Sequence, residues 1–175
     1  MHHVDWTAWV WNSFNFPKHS FITWIAVQDR LRTRKKLMSL GICQDASCLL
    51  CGESDEDTDH LFFNCSFSKT CIRLMSQWLD IPVSSQNIQE AWKWWRKSIK
   101  DQIKRKVVLA VLAAVVYHIW LARNHAYLKK AVIHPRILCN ATRIEIVDRL
   151  KGLIYLSWIR EHCKWLDHLN YRMIG

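Results

Sequence analysis

The stretch CLLCGESDEDTDHLFFNC, residues 48–65, decides the fold of this sequence. It places Cys48 and Cys51 at C-x2-C spacing and follows them with His60 and Cys65, in the order C-x2-C-x8-H-x4-C. Three thiolates and one imidazole are a ligand set that tetrahedral Zn²⁺ prefers. Because four protein ligands leave no position for water, the pattern predicts one structural Zn²⁺ rather than a catalytic one.

Two alternatives stay open for this stretch. Its cysteines could be buried free thiols beside a surface histidine, and Cys43 could replace one of the four ligands. The acidic residues 53–59 between the second and third ligands are predicted to form a solvated surface loop, whose carboxylates could accept the second ring N–H of His60. The cysteines outside the pattern are interpreted as small core residues: Cys43, Cys71, Cys139 and Cys163.

The composition favours helices over strands. Four glycines and three prolines are too few for the many turns of an all-β fold, and eleven tryptophans can fill a core without disulfides. We therefore predict an all-α fold, in which a small zinc-braced helical half precedes a bundle of long helices. The predicted division is a zinc-binding domain with a Trp-rich amino-terminal arm over residues 1–81, a linker over 82–87, and a helical bundle packed on the domain over 88–175.

Local signals predict where the helices begin and end. Pro17 suits the first turn of a helix, and Thr33 is predicted to begin a second one, with its hydroxyl capping Lys35 and Lys36. Gly41 would end that helix because it tolerates positive φ. A further helix is predicted to open with residues 60–65.

Long helices are predicted in the second half, over about residues 88–99, 101–128 and 136–168. Residues 107–121 form the most apolar run, which is short of the roughly 20 residues that span a membrane and is interpreted as a buried core helix. The last helix is predicted to turn one set of side chains inward: Leu138, Ala141, Ile144, Val147, Leu150, Ile154 and Trp158.

Residues 11–65 resemble the zinc-binding domain that follows the reverse transcriptase in plant LINE-type (non-LTR) retrotransposons. The resemblance rests on three motifs around the zinc pattern: PKHSF (17–21) with Trp24, LRTR (31–34) with Leu37, and HLFFNCSF (60–67) after the cysteine pair and Gly52. A downstream match is IWLARN (119–124), which fits an I-W-x-x-R-N segment of such elements. The resemblance implies the four metal ligands and a role near nucleic acid.

The sequence also departs from that family. It contains no polymerase, endonuclease or RNase H sequence, Cys71 stands where a Trp is usual, and Ser66 stands where a Pro is usual. We therefore expect a standalone tail, either a remnant or a domesticated chain that serves a host process.

Two groups of basic residues are the candidate nucleic-acid contacts, and the formal charge of +10 favours polyanionic partners. The first group comprises Arg30, Arg32, Arg34, Lys35 and Lys36. The second comprises Lys93, Arg96, Lys97 and Lys100, interleaved with Trp92, Trp94 and Trp95. The alternative for the basic residues is a solvated helix face, and the helical spacing of the tryptophans favours core positions over a platform for stacking bases.

These observations predict a non-catalytic, zinc-stabilised module that binds nucleic acid, RNA rather than DNA, within a larger assembly. The alternative is a protein–protein adaptor subunit of a larger, ribonucleoprotein-type complex with no direct nucleic-acid contact. An enzyme is the least favoured class, since the carboxylates are not patterned for metal-dependent hydrolysis and no P-loop or HExxH is present. We expect no membrane and no small-molecule substrate. An odd count of seven cysteines and no visible signal peptide predict a reducing compartment, the nucleus before an organelle or the cytoplasm.

Overall fold

A computed structural model describes residues 6–82, 88–153, 165, 168 and 169. Within these residues the fold is all-α, as the composition predicts, and the only β-pairing is an isolated bridge between Ser47 and Asp55. The elements, in chain order, are α1 (Thr7–Val10), α2 (Pro17–Val27), α3 (Arg34–Ser39), a π-helical turn (His60–Asn64), α4 (Ser66–Leu79), α5 (Ile88–Ser98), α6 (Gln102–Lys129) and α7 (Pro135–Leu153).

Helix α6 is the central element of the fold. Helices α1, α2, α4, α5 and α7 all pack against it, and α4 also packs against α7. Residues 107–116 of α6 are all buried. Of the described helices, α6 is the one long and apolar enough to cross a membrane, but 72 % of its most apolar 18-residue window is buried within the protein. That burial is what a core helix requires, as predicted for residues 107–121.

The amino-terminal arm is fixed to α6 by hydrogen bonds from side chains. The indole Nε1 of Trp9 donates to the carbonyl of Leu109 at 2.9 Å, and the Asn12 amide donates to the carbonyl of Lys106 at 2.6 Å. The Trp9 ring also stacks on Trp92 of α5, with 6.3 Å between the ring centroids. The arm therefore packs on the body of the protein, as expected from its aromatic content.

One hydrophobic cluster joins the two halves of the described chain. It includes Phe62 from the region of the metal pattern, Val111 from α6 and Ile146 from α7. This continuity fits a helical bundle packed on the zinc-binding half. The predicted domain boundary stays a prediction, because residues 83–87 of the linker lie outside the described residues.

Helix α3 begins at the predicted position but not by the predicted cap. The Thr33 side chain makes no capping hydrogen bond, and the carboxylate of Glu56 instead accepts from the Arg34 N–H at 3.0 Å. The backbone carbonyl of Glu56 accepts from the Lys35 N–H. A residue distant in sequence therefore satisfies the first backbone donors of the helix, which must find partners outside it. Gly41, at φ +70°, ends the helix as predicted.

The chain from His60 to Ser66 does not form one continuous helix, which corrects the prediction. The π-helical turn ends at Cys65, whose backbone is extended (φ −62°, ψ 133°), and α4 begins at the next residue. The break has a local cause, because Cys65 sits at the junction of two helical segments and its side chain points to the other three predicted ligands.

The inward face of α7 differs from the predicted one. Leu138, Val147 and Leu150 are buried as predicted, but Ala141 and Ile144 are exposed. The prediction stepped along the helix in threes and drifted off the buried face, whereas four-residue steps stay on it. The buried positions at that spacing are Leu138, Thr142, Ile146 and Leu150. Ile154 and Trp158 lie outside the described residues.

Candidate metal centre

The four predicted zinc ligands converge on one point. The sulfurs of Cys48 and Cys65 are 3.9 Å apart, and the sulfur of Cys51 is 3.3 Å from Nε2 of His60. All four ligand atoms lie within 4.8 Å of one another. Tetrahedral Zn²⁺ with ordinary bond lengths requires about 3.8 Å between two sulfurs and about 3.5 Å between sulfur and nitrogen. The donor set and its spacing therefore fit one zinc ion.

A tight turn presents the first two ligands. The Gly52 N–H donates to the carbonyl of Cys48 at 2.8 Å, and Gly52 itself has φ +72°. The backbone N–H of Glu53 donates to the sulfur of Cys51 at 3.5 Å. Such donors stabilise a thiolate, which is the form that binds a metal.

The π-helical turn presents the last two ligands. Its start is fixed by Asp57, whose carboxylate accepts from the backbone N–H of His60 at 2.9 Å. Its middle residues, Leu61, Phe62 and Phe63, are buried in the core. We expected a carboxylate of this loop to accept from the ring of His60. Among the described contacts, the carboxylate beside His60 binds its backbone instead.

Burial divides the ligands into two inner and two outer ones. Cys48 and Cys65 are buried, whereas Cys51 and His60 are partly exposed. The hydrogen bond between the inner thiols raises the pKa of Cys48, with burial adding to the effect, and lowers the pKa of Cys65. Zn²⁺ binds thiolates, so its binding here displaces the thiol protons and makes affinity depend on pH.

Cys43 lies apart from the four ligands, so the alternative in which it replaces one of them is not supported. Its sulfur lies 3.3 Å from the carbonyl oxygen of Asp45 and 3.6 Å from that of Arg34, either of which can accept its single S–H. Cys71 and Cys139 are buried in the core, as predicted, but the same prediction was wrong for Cys43, which is partly exposed. Cys163 lies outside the described residues.

Glu56 lies in the metal loop, residues 53–59 between the second and third ligands, and its environment was predicted wrongly. We predicted a solvated loop, but the Glu56 side chain is 0 % exposed and its carboxylate accepts from Nε of Arg123 at 2.9 Å. Arg123, itself buried, also donates to the carbonyl of Arg32 at 3.2 Å. The ion pair joins the metal loop, α6 and the chain before α3. The IWLARN motif contains Arg123, so it was the sequence signal that could have indicated a partner for a buried carboxylate.

The first basic group is divided by its acidic neighbours. Arg34 is bound to Asp45, Lys35 lies 3.3 Å from Asp57, and Lys36 lies 2.8 Å from Asp29. Arg30 and Arg32 are exposed and form no ion pair within the described part of the chain. One groove contains Arg30 and Arg32, which form no ion pair among the described residues, together with Lys36, which does. Its lining residues are Asp29, Arg30, Arg32, Lys36, Ser39 and Leu40.

Only part of the second basic group joins the first. Lys93 lines a pocket together with Lys35 and Lys36, where Asp57, Asp59 and Glu90 also contribute. The other candidates, Arg96, Lys97 and Lys100, are exposed on α5 and just after it. Trp92 and Trp95 are buried, so the core interpretation of these tryptophans is confirmed. Trp94 is half-buried.

Comparison with known proteins agrees with this geometry. Residues 1–71 match a protein family described as zinc-binding in reverse transcriptase. The match includes all four clustered ligands, and together they support a zinc-binding domain with one structural zinc, held by Cys48, Cys51, His60 and Cys65. No curated protein and no solved structure matches the chain.

Proposed function

We propose that this zinc-binding domain serves a non-catalytic module that binds nucleic acid, RNA in preference to DNA, within a larger assembly. The observation that carries the proposal is the groove beside α3, which is lined by the exposed Arg30 and Arg32 and by Lys36. Arginine and lysine contacts to phosphates release counterions and give affinity for any sequence. The family match supports RNA, because a reverse transcriptase copies an RNA template.

The zinc centre contributes to this function by holding the groove in shape. Glu56 follows the cysteine pair by five residues, caps the first turn of α3 and pairs with Arg123, which in turn holds the carbonyl of Arg32. The backbone that carries the basic groove is therefore tied to the metal loop. A rigid arrangement lowers the ordering cost of binding, so zinc is expected to raise affinity without touching the ligand.

We also propose an origin in plant LINE-type retrotransposons. Support comes from the IWLARN segment, which lies outside the matched residues 1–71 and contributes the buried Arg123 to the metal loop. The standalone, domesticated state stays a prediction. Ligation by thiolates supports an intracellular, reducing location, and the nucleus is the compartment we propose.

The test is a titration of fluorescent single-stranded RNA at several salt concentrations. Arg30→Glu with Arg32→Glu should weaken binding at least tenfold and reduce the slope of log affinity against log salt by roughly 1.4, at about 0.7 per phosphate contact. The matched control is Lys69→Glu with Arg73→Glu, which makes the same charge change at two exposed positions of α4. If both double variants weakened RNA binding equally, the groove would not be the binding site, and the loss of affinity would follow from net charge alone.

The alternative is an adaptor that contacts a partner protein and no nucleic acid. It is favoured by large apolar side chains on the surface where α6 ends and α7 begins. Tyr127, Leu128, Val132 and Ile137 there are each at least 45 % exposed. Contiguous apolar surface is typical of protein-binding sites. Absence of RNA binding even at low salt would favour this alternative.

A further inference from the structure

A second group of metal-binding side chains lies away from the zinc pattern. His19 of α2, His118 of α6 and Glu145 of α7 place one ligand atom each within 4.8 Å of the others. His19 and Glu145 are 126 residues apart in sequence, so no motif spacing connects them. Neither histidine has a ligand role that the sequence alone predicts.

The geometry centres on one carboxylate oxygen. Oε2 of Glu145 lies 3.1 Å from Nε2 of His19 and 2.7 Å from Nε2 of His118. Zn²⁺ bound to the same three atoms would need about 3.3 Å between nitrogen and oxygen. Accommodating the ion would therefore lengthen the His19 separation by about 0.2 Å and the His118 separation by about 0.6 Å. The other carboxylate oxygen, Oε1, binds the ammonium of Lys18.

The charge states suit metal binding near pH 7, provided that the ring proton that each Nε2 donates to Glu145 moves to Nδ1 when the cation takes its place. Burial lowers the pKa of His19 to about 4 and also lowers the pKa of His118, so both rings are neutral. Burial pushes the pKa of Glu145 upward, but hydrogen bonds from Lys18 and His118 outweigh it and keep the group ionised. Neutral imidazole and carboxylate are the forms that bind metals.

The group lies at the edge of the core. His19 is fully buried, whereas the side chains of His118 and Glu145 are 15 % and 19 % exposed, so one edge of the group reaches solvent. Lys18 stands where an outer partner commonly orients a ligating carboxylate. Its positive charge opposes a cation, but the side chain is 47 % exposed, so water and salt screen it.

We propose that His19, His118 and Glu145 form a second binding site for a first-row divalent cation, Zn²⁺ first among them, with water in the fourth position. Two imidazoles and one carboxylate suit Zn²⁺ and its neighbours in the series. The site binds more weakly than the Cys3His centre, because it has three protein ligands and a lysine nearby. A bound cation would join α2, α6 and α7 at one point.

The experiment uses the full chain loaded with one equivalent of Zn²⁺, which fills the Cys3His centre, and then titrated with Co²⁺. A second equivalent should bind and give visible d–d absorption without a thiolate-to-cobalt charge-transfer band. Glu145→Gln, which keeps the size of the side chain, and His118→Ala should each abolish that second equivalent while the first zinc is retained. His125→Ala, at an exposed histidine of the same helix, is the matched control.

Two results would overturn the proposal. One is a wild-type chain that binds no Co²⁺ beyond the first zinc, which would leave these residues as a polar network between helices. The other is a second equivalent that survives Glu145→Gln or disappears in His125→Ala. Far-UV circular dichroism and the retained zinc equivalent establish that each variant is folded, and RNA binding is not needed for any of these readouts.

Discussion

At the scale of single residues, the clearest feature of this protein is a buried ion pair. Glu56 and Arg123 are 0 % and 5 % exposed, and the ion pair between them is made at 2.9 Å. Both partners make further hydrogen bonds, Glu56 to the Arg34 N–H and Arg123 to the Arg32 carbonyl. A buried pair of this kind is costly to break from one side, since the remaining charge has lost its partner and its water.

We therefore predict that Arg123→Met destabilises the protein by about 3–5 kcal/mol. The double variant Glu56→Gln with Arg123→Met should be less destabilised than Arg123→Met alone, because no uncompensated charge remains and the introduced amide can still cap α3. Urea unfolding followed by circular dichroism measures both. Arg136→Met, at an exposed arginine of α7, is the control and should stay within about 0.5 kcal/mol of wild type. A single Arg123 variant as stable as that control would contradict the assignment.

The sequence was sufficient to predict the four metal ligands but not the buried ion pair that holds the loop between them. Cys48, Cys51, His60 and Cys65 could be predicted because zinc imposes a ligand type and a spacing on the chain. Glu56 could not, since five acidic residues share that loop and composition does not tell which of them turns inward. Its burial depends on Arg123, which reaches it from a separate helix.

Some helix ends are determined by the local sequence and others by contacts with residues distant in sequence. The end of α3 is local: the Gly41 N–H donates to Met38 and the Ile42 N–H to Leu37, a pairing that requires positive φ at the glycine. The start of α3 is tertiary, because its donors bind Glu56. Local signals therefore predicted the glycine stop correctly and the threonine cap wrongly. The inward face of α7 was predicted only in part for a related reason, since the packing of its neighbours selects the buried face.

Two glycine substitutions of opposite sign test the helix ends. Gly41→Ala should destabilise the protein by about 1 kcal/mol, because alanine resists positive φ. A Cβ at Gly41 would meet no atom within 4 Å, so the cost is conformational rather than steric. Gly152→Ala, within α7 and equally unobstructed, should instead stabilise by up to about 1 kcal/mol. Thermal melts of both variants measure the difference, and shifts of the same sign would contradict this account of the turn.

The whole molecule is organised around α6, and composition alone could predict its class. Scarce turn residues and abundant tryptophan indicated an all-α core, and the long apolar run indicated its central helix. The meeting of α2, α6 and α7 at His19, His118 and Glu145 could not be predicted. Which helix faces meet is decided by packing between elements, and periodicity describes one element at a time.

Because the residues of the metal loop and of α6 share one hydrophobic cluster, loss of the zinc should affect more than the first half. Structural zinc commonly contributes on the order of 10 kcal/mol, which is comparable to the whole stability of an ordinary domain. We predict that Cys48→Ser abolishes cooperative unfolding of the entire chain and removes helicity from α6 and α7 as well as from the zinc-binding domain. Far-UV circular dichroism during heating measures this.

Cys43→Ser is the control for that prediction, because it makes the same change at a thiol that is not among the clustered ligands, and it should melt like wild type. A ligand variant is preferable to a chelator, which would also strip a cation from His19, His118 and Glu145. If Cys48→Ser loses only part of the helicity and the remainder melts in a separate, unshifted transition, the bundle is stable without the zinc-binding half. The common cluster would then be a contact between two domains, with the metal serving one of them alone.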